Sequence, residues 1–377
     1  MGNPIKVLHV TRVFNAAGIE SFIMNMYRNI DRSKVQFDFL VMSDEDSCYD
    51  TEIQCLGGHK YTINVKGSNT FVKIQKESRE LFRFLCKHKY KIIHIHYTTS
   101  LRAPYLLAAK KAGVPVRIYH SHSGKVNGKS KGKLLVYDYY RKKISKWATD
   151  WFACSKVAAD WMFEKKLINS GKVQIVCNGI DTNRFKYNVE MRNRIRKQMN
   201  LGSAFTIMHT GRFLPQKNHS FIIDIFRKVK DYDATAKLLL LGVGDLQEAI
   251  KEKVKRLSLE DDVFFLGVKE NVEDYLSAAD CYLMPSLYEG LPVAAVEAQC
   301  SGLPCIMSTN ITQEVALTNK VIFLPLSASL DSWADEVIKS KELYRQDDSE
   351  TITQNGYNVK CVAKRLQHQY LALDKRK

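Results

Sequence analysis

Short runs of β-branched and other apolar residues alternate with helical patterns along the whole chain. The runs Lys6–Val10, Phe37–Met42, Ile92–His96, Val116–His120, Trp151–Cys154 and Val173–Val176 read as strands. A second series follows at Thr206–Thr210, Lys237–Leu241, Val263–Leu266, Cys281–Met284, Cys305–Met307 and Val321–Leu324. Strands interleaved with helices imply parallel sheets, so the expected fold class is α/β. The alternation breaks once, at Lys186–Gly202, a polar stretch rich in Arg, Asn and Lys that reads as the link between two doubly wound domains. The expected organisation is a Rossmann-like domain over 1–185, a second over 186–355, and a helix over 356–377 returning to the first. Ligands of such sheets lie beyond the carboxyl ends of the strands, and two facing domains create a cleft there.

Composition narrows the class. The chain has 377 residues, 45% hydrophobic and 26% charged, which suits two domains that each bury a core and excludes a disordered or low-complexity protein. The first strand pattern, Ile5–Thr11, is too short and polar for a secretory leader, and no apolar run reaches the length that spans a bilayer. Met1-Gly2 lacks the Ser or Thr at position 6 that myristoylation wants, so a cytoplasmic location is expected. Nine cysteines without a C-x-x-C pair, most in apolar contexts, fit reduced and buried thiols rather than a disulfide scaffold or zinc.

The net charge of +17 is uneven: residues 1–185 hold 31 Lys and Arg against 15 Asp and Glu, the remainder 26 against 25. Within the basic half, segment 123–147 carries Lys125, Lys129, Lys131, Lys133, Arg141, Lys142, Lys143 and Lys146 against Asp138 alone. Tyr137, Tyr139, Tyr140 and Trp147 are interleaved with them. Basic residues with interfacial aromatics suit an anionic membrane surface; a solvated face or a nucleic-acid partner are the other readings.

Candidate chemistry concentrates in Pro285-Ser286-Leu287-Tyr288-Glu289-Gly290-Leu291-Pro292 and the segment Val293–Gln299 behind it. Pro292 suits the first turn of a helix, with Glu289 and Gly290 in the loop before it and Glu297 inside the helix. An open helix N-terminus favours a phosphate, and flanking carboxylates accept hydrogen bonds from hydroxyls. A ligand with both phosphates and sugars satisfies both.

Further motifs fall into order around this one: Ala17-Gly18-Ile19-Glu20, Ile93-His94-Ile95-His96, His120-Ser121-His122, Val176–Asp181 through Phe185, Gly211-Arg212 with Lys217-Asn218, and Gly242-Val243-Gly244. With Glu289 to Glu297 they give a chain that resembles the GT-B glycosyltransferases, in particular the retaining family 4 enzymes of bacterial exopolysaccharide or capsule synthesis. The resemblance covers nearly the whole length and is densest from Val173 to Met307. It implies that Glu297 holds the nucleotide ribose hydroxyls and that Glu289 contacts the transferred sugar. The amides of Gly290, Leu291 and Val293 are then available to the diphosphate.

Gly211, Arg212 and Lys217 follow a strand at its carboxyl end, where two cations would neutralise the departing diphosphate, with no divalent metal needed and no cofactor beyond the nucleotide sugar. Val268 and Lys269 are expected near the base. Gly18 opens a helix and lets its amide approach the donor phosphates, although Ala17 stands where the family usually has a first glycine. Glu20 either compensates the helix dipole or touches a ligand. His120 and His122 are expected on the acceptor side, one of them near the sugar, with His122 preferred because it is further towards the loop. His94 and His96 share their alternation and line the acceptor side or simply pack; a zinc pair there would want a third ligand, and none is recognisable. Asn178-Gly179 and Asp181 read as turn and cap residues at the interdomain boundary. Gln247 stands where a third dinucleotide glycine belongs, which argues against a nicotinamide cofactor. The D-x-D spacings Asp44-Glu45-Asp46 and Asp231-Tyr232-Asp233 read as solvated turns.

The expected function is retaining transfer of a sugar from a UDP-sugar, or a GDP-sugar, to a hydroxyl of a lipid-linked glycan. The protein would sit at the inner face of the plasma membrane, through segment 123–147, with no nucleic acid involved. The competing readings are a GT-B nucleotide-sugar epimerase and a non-catalytic sugar-nucleotide or nucleic-acid binding module.

Overall fold

A computed structural model describes residues 3–14, 18–43, 45, 47–66, 69–123 and 131–376, without the side chains of 131–133. The chain divides into two compact units, Met1–Gly179 with Val359–Lys377, and Ile180–Asn358.

The first unit holds seven strands: β1 (Ile5–Thr11), β2 (Val35–Val41), β3 (Lys60–Thr62), β4 (Ile92–Tyr97), β5 (Val116–Ser121), β6 (Asp150–Ala153) and β7 (Val173–Ile175). They pair in parallel in the order β3-β2-β1-β4-β5-β6-β7. The order reverses between β1 and β4, the place where doubly wound sheets take ligands. The edge strand β3 escapes a hydrophobicity reading because its three residues, Lys60-Tyr61-Thr62, are mostly polar and none is buried. Apolar residues of the helices Gly18–Asn29 and Val359–Asp374 cover one face of the sheet, among them Phe22, Tyr27, Val362, Leu366 and Tyr370. The other face packs against Ile74, Leu81, Tyr105 and Ile144 from the helices Thr70–Lys87, Ala103–Lys111 and Lys131–Trp147. The C-terminal helix is thus part of the first unit's core.

The second unit repeats the plan with β8 (Thr206–Thr210), β9 (Lys237–Leu241), β10 (Val263–Gly267), β11 (Cys281–Met284), β12 (Cys305–Ser308) and β13 (Val321–Leu324). All pairs are parallel, in the order β10-β9-β8-β11-β12-β13. Its core joins Ile222, Phe226 and Val229 of the helix His219–Tyr232 to Trp333 and Val337 of the helix Leu330–Lys339.

The stretch Lys186–Gly202 is not a link. It contains the helix Val189–Gln198, whose arginines bind within the second unit. Arg192 donates to the carbonyls of Ser277, Ala278 and Ala279 at 2.9–3.3 Å and to Asp280 at 2.6 Å. These are the free carbonyls at the end of the helix Val272–Ala278, so the cations serve as its C-terminal cap. The passage between units falls instead at Gly179–Ile180 and Asn358–Val359, since Ile180 bridges Asn358 and its amide donates to Tyr357. A Cβ on Gly179 would stand 2.8 Å from Val359 Cα, which explains the glycine. The cysteine expectation also needs correcting. Cys48, Cys55, Cys86 and Cys361 are exposed, the last three on or beside outward helix faces, while Cys154, Cys281, Cys300 and Cys305 are buried.

Candidate active site

β8 and β11 adjoin where the second sheet's order reverses, and the loops leaving their carboxyl ends carry most of the candidates. After β8 come Gly211 and Arg212, then a single 3-10 turn, Pro215–Lys217, then Asn218 in the left-handed region (φ 58°) at the head of the helix His219–Tyr232. Asparagine tolerates that conformation. Hydrogen bonds fasten this loop to the one after β11. Gln216 O accepts from Leu287 N (2.8 Å), Gln216 Nε2 donates to Tyr288 O (2.9 Å) and Glu289 Oε2 (3.1 Å), and Asn218 Nδ2 donates to Pro285 O (3.1 Å). The result places Lys217 Nζ 2.7 Å from Glu289 Oε1, an ion pair with little exposure on either side. That contact lies off the hydrogen-bond direction, so Oε1 keeps a free lone pair.

The third loop, Gly242–Gly244 after β9, packs against the first. A Cβ on Gly242 (φ 132°) would collide with Gly211 O, and one on Gly244 would stand 2.7 Å from Phe213 N. These glycines hold the Arg212 loop in place and need no dinucleotide. Arg212 is exposed and forms no ion pair among the described residues, so its charge is available to an anion. Lys269 Nζ lies 6.0 Å from the Tyr275 ring, and Val268 is 74% exposed.

The helix after β11 runs Val293–Cys300 and its N-terminus has no side-chain cap. Pro292 is the residue before it (φ −73°, ψ 109°) rather than a residue of its first turn, a shift of one position. Gly290 and Leu291 lie in the preceding loop. Glu297 sits in this helix, and burial pushes its carboxyl up to about 7, with Arg184's charge opposing the shift and Glu273's adding to it. Arg184 is placed by Asp181, whose Oδ1 accepts from the amides of Asn183 (3.1 Å) and Arg184 (3.2 Å), and by its own bond to Glu273 (2.9 Å). Around these loops several buried polar atoms lack partners among the described residues: His209 Nε2, Thr210 Oγ1 and Ser286 Oγ. Buried polar atoms are ordinarily satisfied, so a polar ligand or ordered water is the natural complement. Gln216, Arg184 and these three carried no motif; only their neighbours in sequence pointed at them.

In the first unit, Gly18 opens the helix Gly18–Asn29 and a Cβ there would meet nothing within 4 Å. Ala17 lies outside the described residues. Glu20 is buried, accepts from Thr11 Oγ1 (3.1 Å), and has its pKa raised by that burial. His94, His96 and His120 are fully buried, whereas His122, just past β5, is partly exposed. The expectation that His94 and His96 have no third imidazole in range is overturned. Parallel register sets His9 beside His94 and His96 beside His120, all on one face. His96 Nε2 is 2.9 Å from His9 Nδ1, His96 Nδ1 is 2.9 Å from His122 Nε2, and His94 Nε2 is 3.1 Å from His120 Nδ1. Burial lowers the pKa of all five, to about 3 for His9 and His122, so the rings are neutral. His9, passed over in the sequence as one polar position of a strand, completes the cluster.

Of the two D-x-D spacings, Asp44 and Asp46 lie outside the described residues. Asp231 pairs with Arg227 at 2.7 Å and Asp233 with Lys341 at 2.5 Å, which makes them ordinary surface ion pairs. Of segment 123–147, residues 124–130 and the side chains of 131–133 lie outside the described residues, so Lys125, Lys129, Lys131 and Lys133 do too. Arg141 is turned inward, donating to Asp160 O (2.9 Å) and Phe163 O (3.0 Å).

Two all-parallel sheets of one order, with an uncapped helix start, a carboxylate inside that helix and cations on the adjoining loop, define the class of GT-B glycosyltransferases. Residues 16–184 match the model of glycosyltransferase family 4, and residues 191–359 that of the glycosyl transferases group 1. The chain belongs to this family. It is 35% identical to the putative glycosyltransferase EpsF of Bacillus subtilis (strain 168), over 94% of this chain and 93% of that one. It is 24% identical to the UDP-Gal:alpha-D-GlcNAc-diphosphoundecaprenol alpha-1,3-galactosyltransferase of Escherichia coli, over 81% and 79%. The crystal structure of Anabaena Alr3699/HepE in complex with UDP and glucose has the same fold, with a TM-score of 0.77, 16% identity, and coverage of 98% of this chain and all of that one.

Proposed function

We propose that this glycosyltransferase retains anomeric configuration and moves a sugar from a nucleotide diphosphate sugar, preferably a UDP-sugar, to a hydroxyl of a lipid-linked glycan in exopolysaccharide or capsule synthesis. The observation that carries the reading is the junction of Lys217, Glu289 and the uncapped helix Val293–Cys300 with Glu297 inside it. Glu297 accepts from the ribose hydroxyls, and the helix start with Gly290, Leu291 and Val293 faces the diphosphate. Val268 and Lys269 border the base. Arg212 and Lys217 stabilise the charge that builds on the departing diphosphate, a task that fixed cations fulfil without a metal ion. As the donor's phosphates draw Lys217 away, the carboxylate of Glu289 becomes free for the transferred sugar. Gly18 leaves open space for the phosphates at the head of its helix. His122, neutral and partly exposed, orients the acceptor hydroxyl, with His94, His96 and His120 behind it.

The E. coli relative's name, with a UDP-sugar donor and a diphosphoundecaprenol acceptor, supports this choice of substrates, and the UDP complex of the Anabaena protein supports the base. The test is incubation with radiolabelled UDP- or GDP-sugars and membranes. Label entering extractable lipid, with the anomeric configuration of the donor, is the expected result. Nucleotide release that ignores the acceptor would sink the transfer model, and interconversion of the free donor sugar would point to an epimerase.

A further inference from the structure

We infer that His96, His120 and His122 form a binding site for one transition-metal ion of the zinc, cobalt or nickel kind. One ring nitrogen from each of the three lies within 4.8 Å of the other two. Tetrahedral coordination at metal–nitrogen bonds of about 2.0–2.1 Å asks for ligand separations of about 3.3 Å, which small side-chain rotations supply. A second trio, His9, His94 and His96, meets the same distance test but is wholly buried. Only the trio that includes His122 has a member that is not fully buried.

The hydrogen bonds around the trio select the ligand atoms. His120 Nε2 is buried and unpartnered, while its Nδ1 bonds to His94, which in turn bonds through Nδ1 to Tyr370 Oη at 2.6 Å. If His120 Nδ1 carries the proton and donates to His94 Nε2, His94 donates onward to Tyr370 and His120 Nε2 presents a lone pair. His96 can likewise donate from Nε2 to His9 Nδ1, which frees Nδ1 as a ligand. Ligating histidines ordinarily donate their second N–H to such an outer partner, which fixes tautomer and ring orientation. Between His96 Nδ1 and His122 Nε2, 2.9 Å apart, the metal would take the place of the shared proton: His122 moves that proton through solvent from Nε2 to Nδ1, so all three ligands bind as neutral imidazoles with no net proton lost. Three imidazoles with one open position suit borderline ions rather than magnesium or calcium. The filled site would take the lone pair of His122 out of acceptor chemistry; that consequence rests on the function proposed above, whereas the binding does not.

The test is titration of the untagged full chain with Co2+. One Co2+ per chain with the intense visible bands of tetrahedral nitrogen coordination is expected, competed away by Zn2+. His120→Asn and His122→Asn should each lower affinity at least tenfold. Because His120 is a core residue, His122→Asn carries the test if the other variant does not fold, its own folding being checked by an unchanged thermal midpoint. Undiminished binding in a folded His122→Asn chain would overturn the assignment, as would a near-ultraviolet thiolate charge-transfer band that places the ion on the exposed cysteines.

Discussion

Glu297 carries a carboxyl that burial holds at about 7, so its charge changes across neutral pH. A raised pKa means that the folded chain holds a proton the unfolded chain has released. The group therefore stabilises the unliganded fold at low pH, and that contribution is lost as pH rises through about 7. Donor binding as proposed has the opposite dependence, because an ionised carboxylate is the stronger acceptor for a ribose diol. Calorimetric titration with UDP should show affinity rising about tenfold between about pH 6 and about pH 8, with Glu297→Gln flattening the profile. A flat profile in the unmutated protein would remove Glu297 from the ribose. Arg212, exposed and without an ion pair among the described residues, has no stabilising role to lose. Arg212→Ala should then lower kcat by roughly a hundredfold or more and leave the thermal midpoint in place. Turnover unchanged in that variant would place the phosphates elsewhere. At this scale the residues proposed for the donor stand out in the sequence because each sits in a short contiguous motif. The histidine cluster was not, since it is assembled by register across β1, β4 and β5, and nothing in a single strand records its neighbour's register.

Three loops at the carboxyl ends of β8, β9 and β11 act as one assembly, and its tightest point is glycine. Gly242 adopts φ 132°, which L side chains rarely enter, and its missing Cβ is where Gly211 O lies. Gly242→Ala should therefore cost about 3 kcal/mol of stability in urea denaturation and displace Arg212 with its loop. A loss of under about 0.5 kcal/mol would show that the loops are not coupled through this contact. The strands of both sheets were readable from apolar runs, apart from β3, whose polar edge residues follow no such run. The helix Val189–Gln198 was missed for a related reason. Apart from Ile195, its anchoring contacts are made by arginines capping another helix's carbonyls, and a pattern of apolar positions cannot announce a charged anchor.

Across the whole molecule the surplus positive charge belongs to the first 185 residues, and the described part of that unit shows where some of it is displayed. On the helix Lys131–Trp147, Lys142 and Lys146 are exposed beside Leu135 (72% exposed) and Tyr139 (54%), and Lys143 lies over the rings of Tyr139 (4.9 Å) and Trp147 (5.7 Å). No helix among the described residues is long and apolar enough to cross a membrane. A basic face with apolar tips would adsorb by charge first and by shallow burial second, each lysine contributing about 1 kcal/mol against anionic lipid. Replacing Lys142 and Lys146 with Ala should then weaken co-sedimentation with phosphatidylserine vesicles by about 2 kcal/mol, a roughly thirtyfold fall. Raising salt should do the same, because the Debye length shrinks below the spacing of these charges from the headgroups. Arg141→Ala makes a useful contrast: its guanidinium is spent on Asp160 and Phe163 carbonyls, so it should lower stability more than adsorption. Binding that is indifferent to lipid charge, or equal in the unmutated protein and both variants, would leave the basic half of the chain as a solvated face and require the acceptor to reach the enzyme by another route.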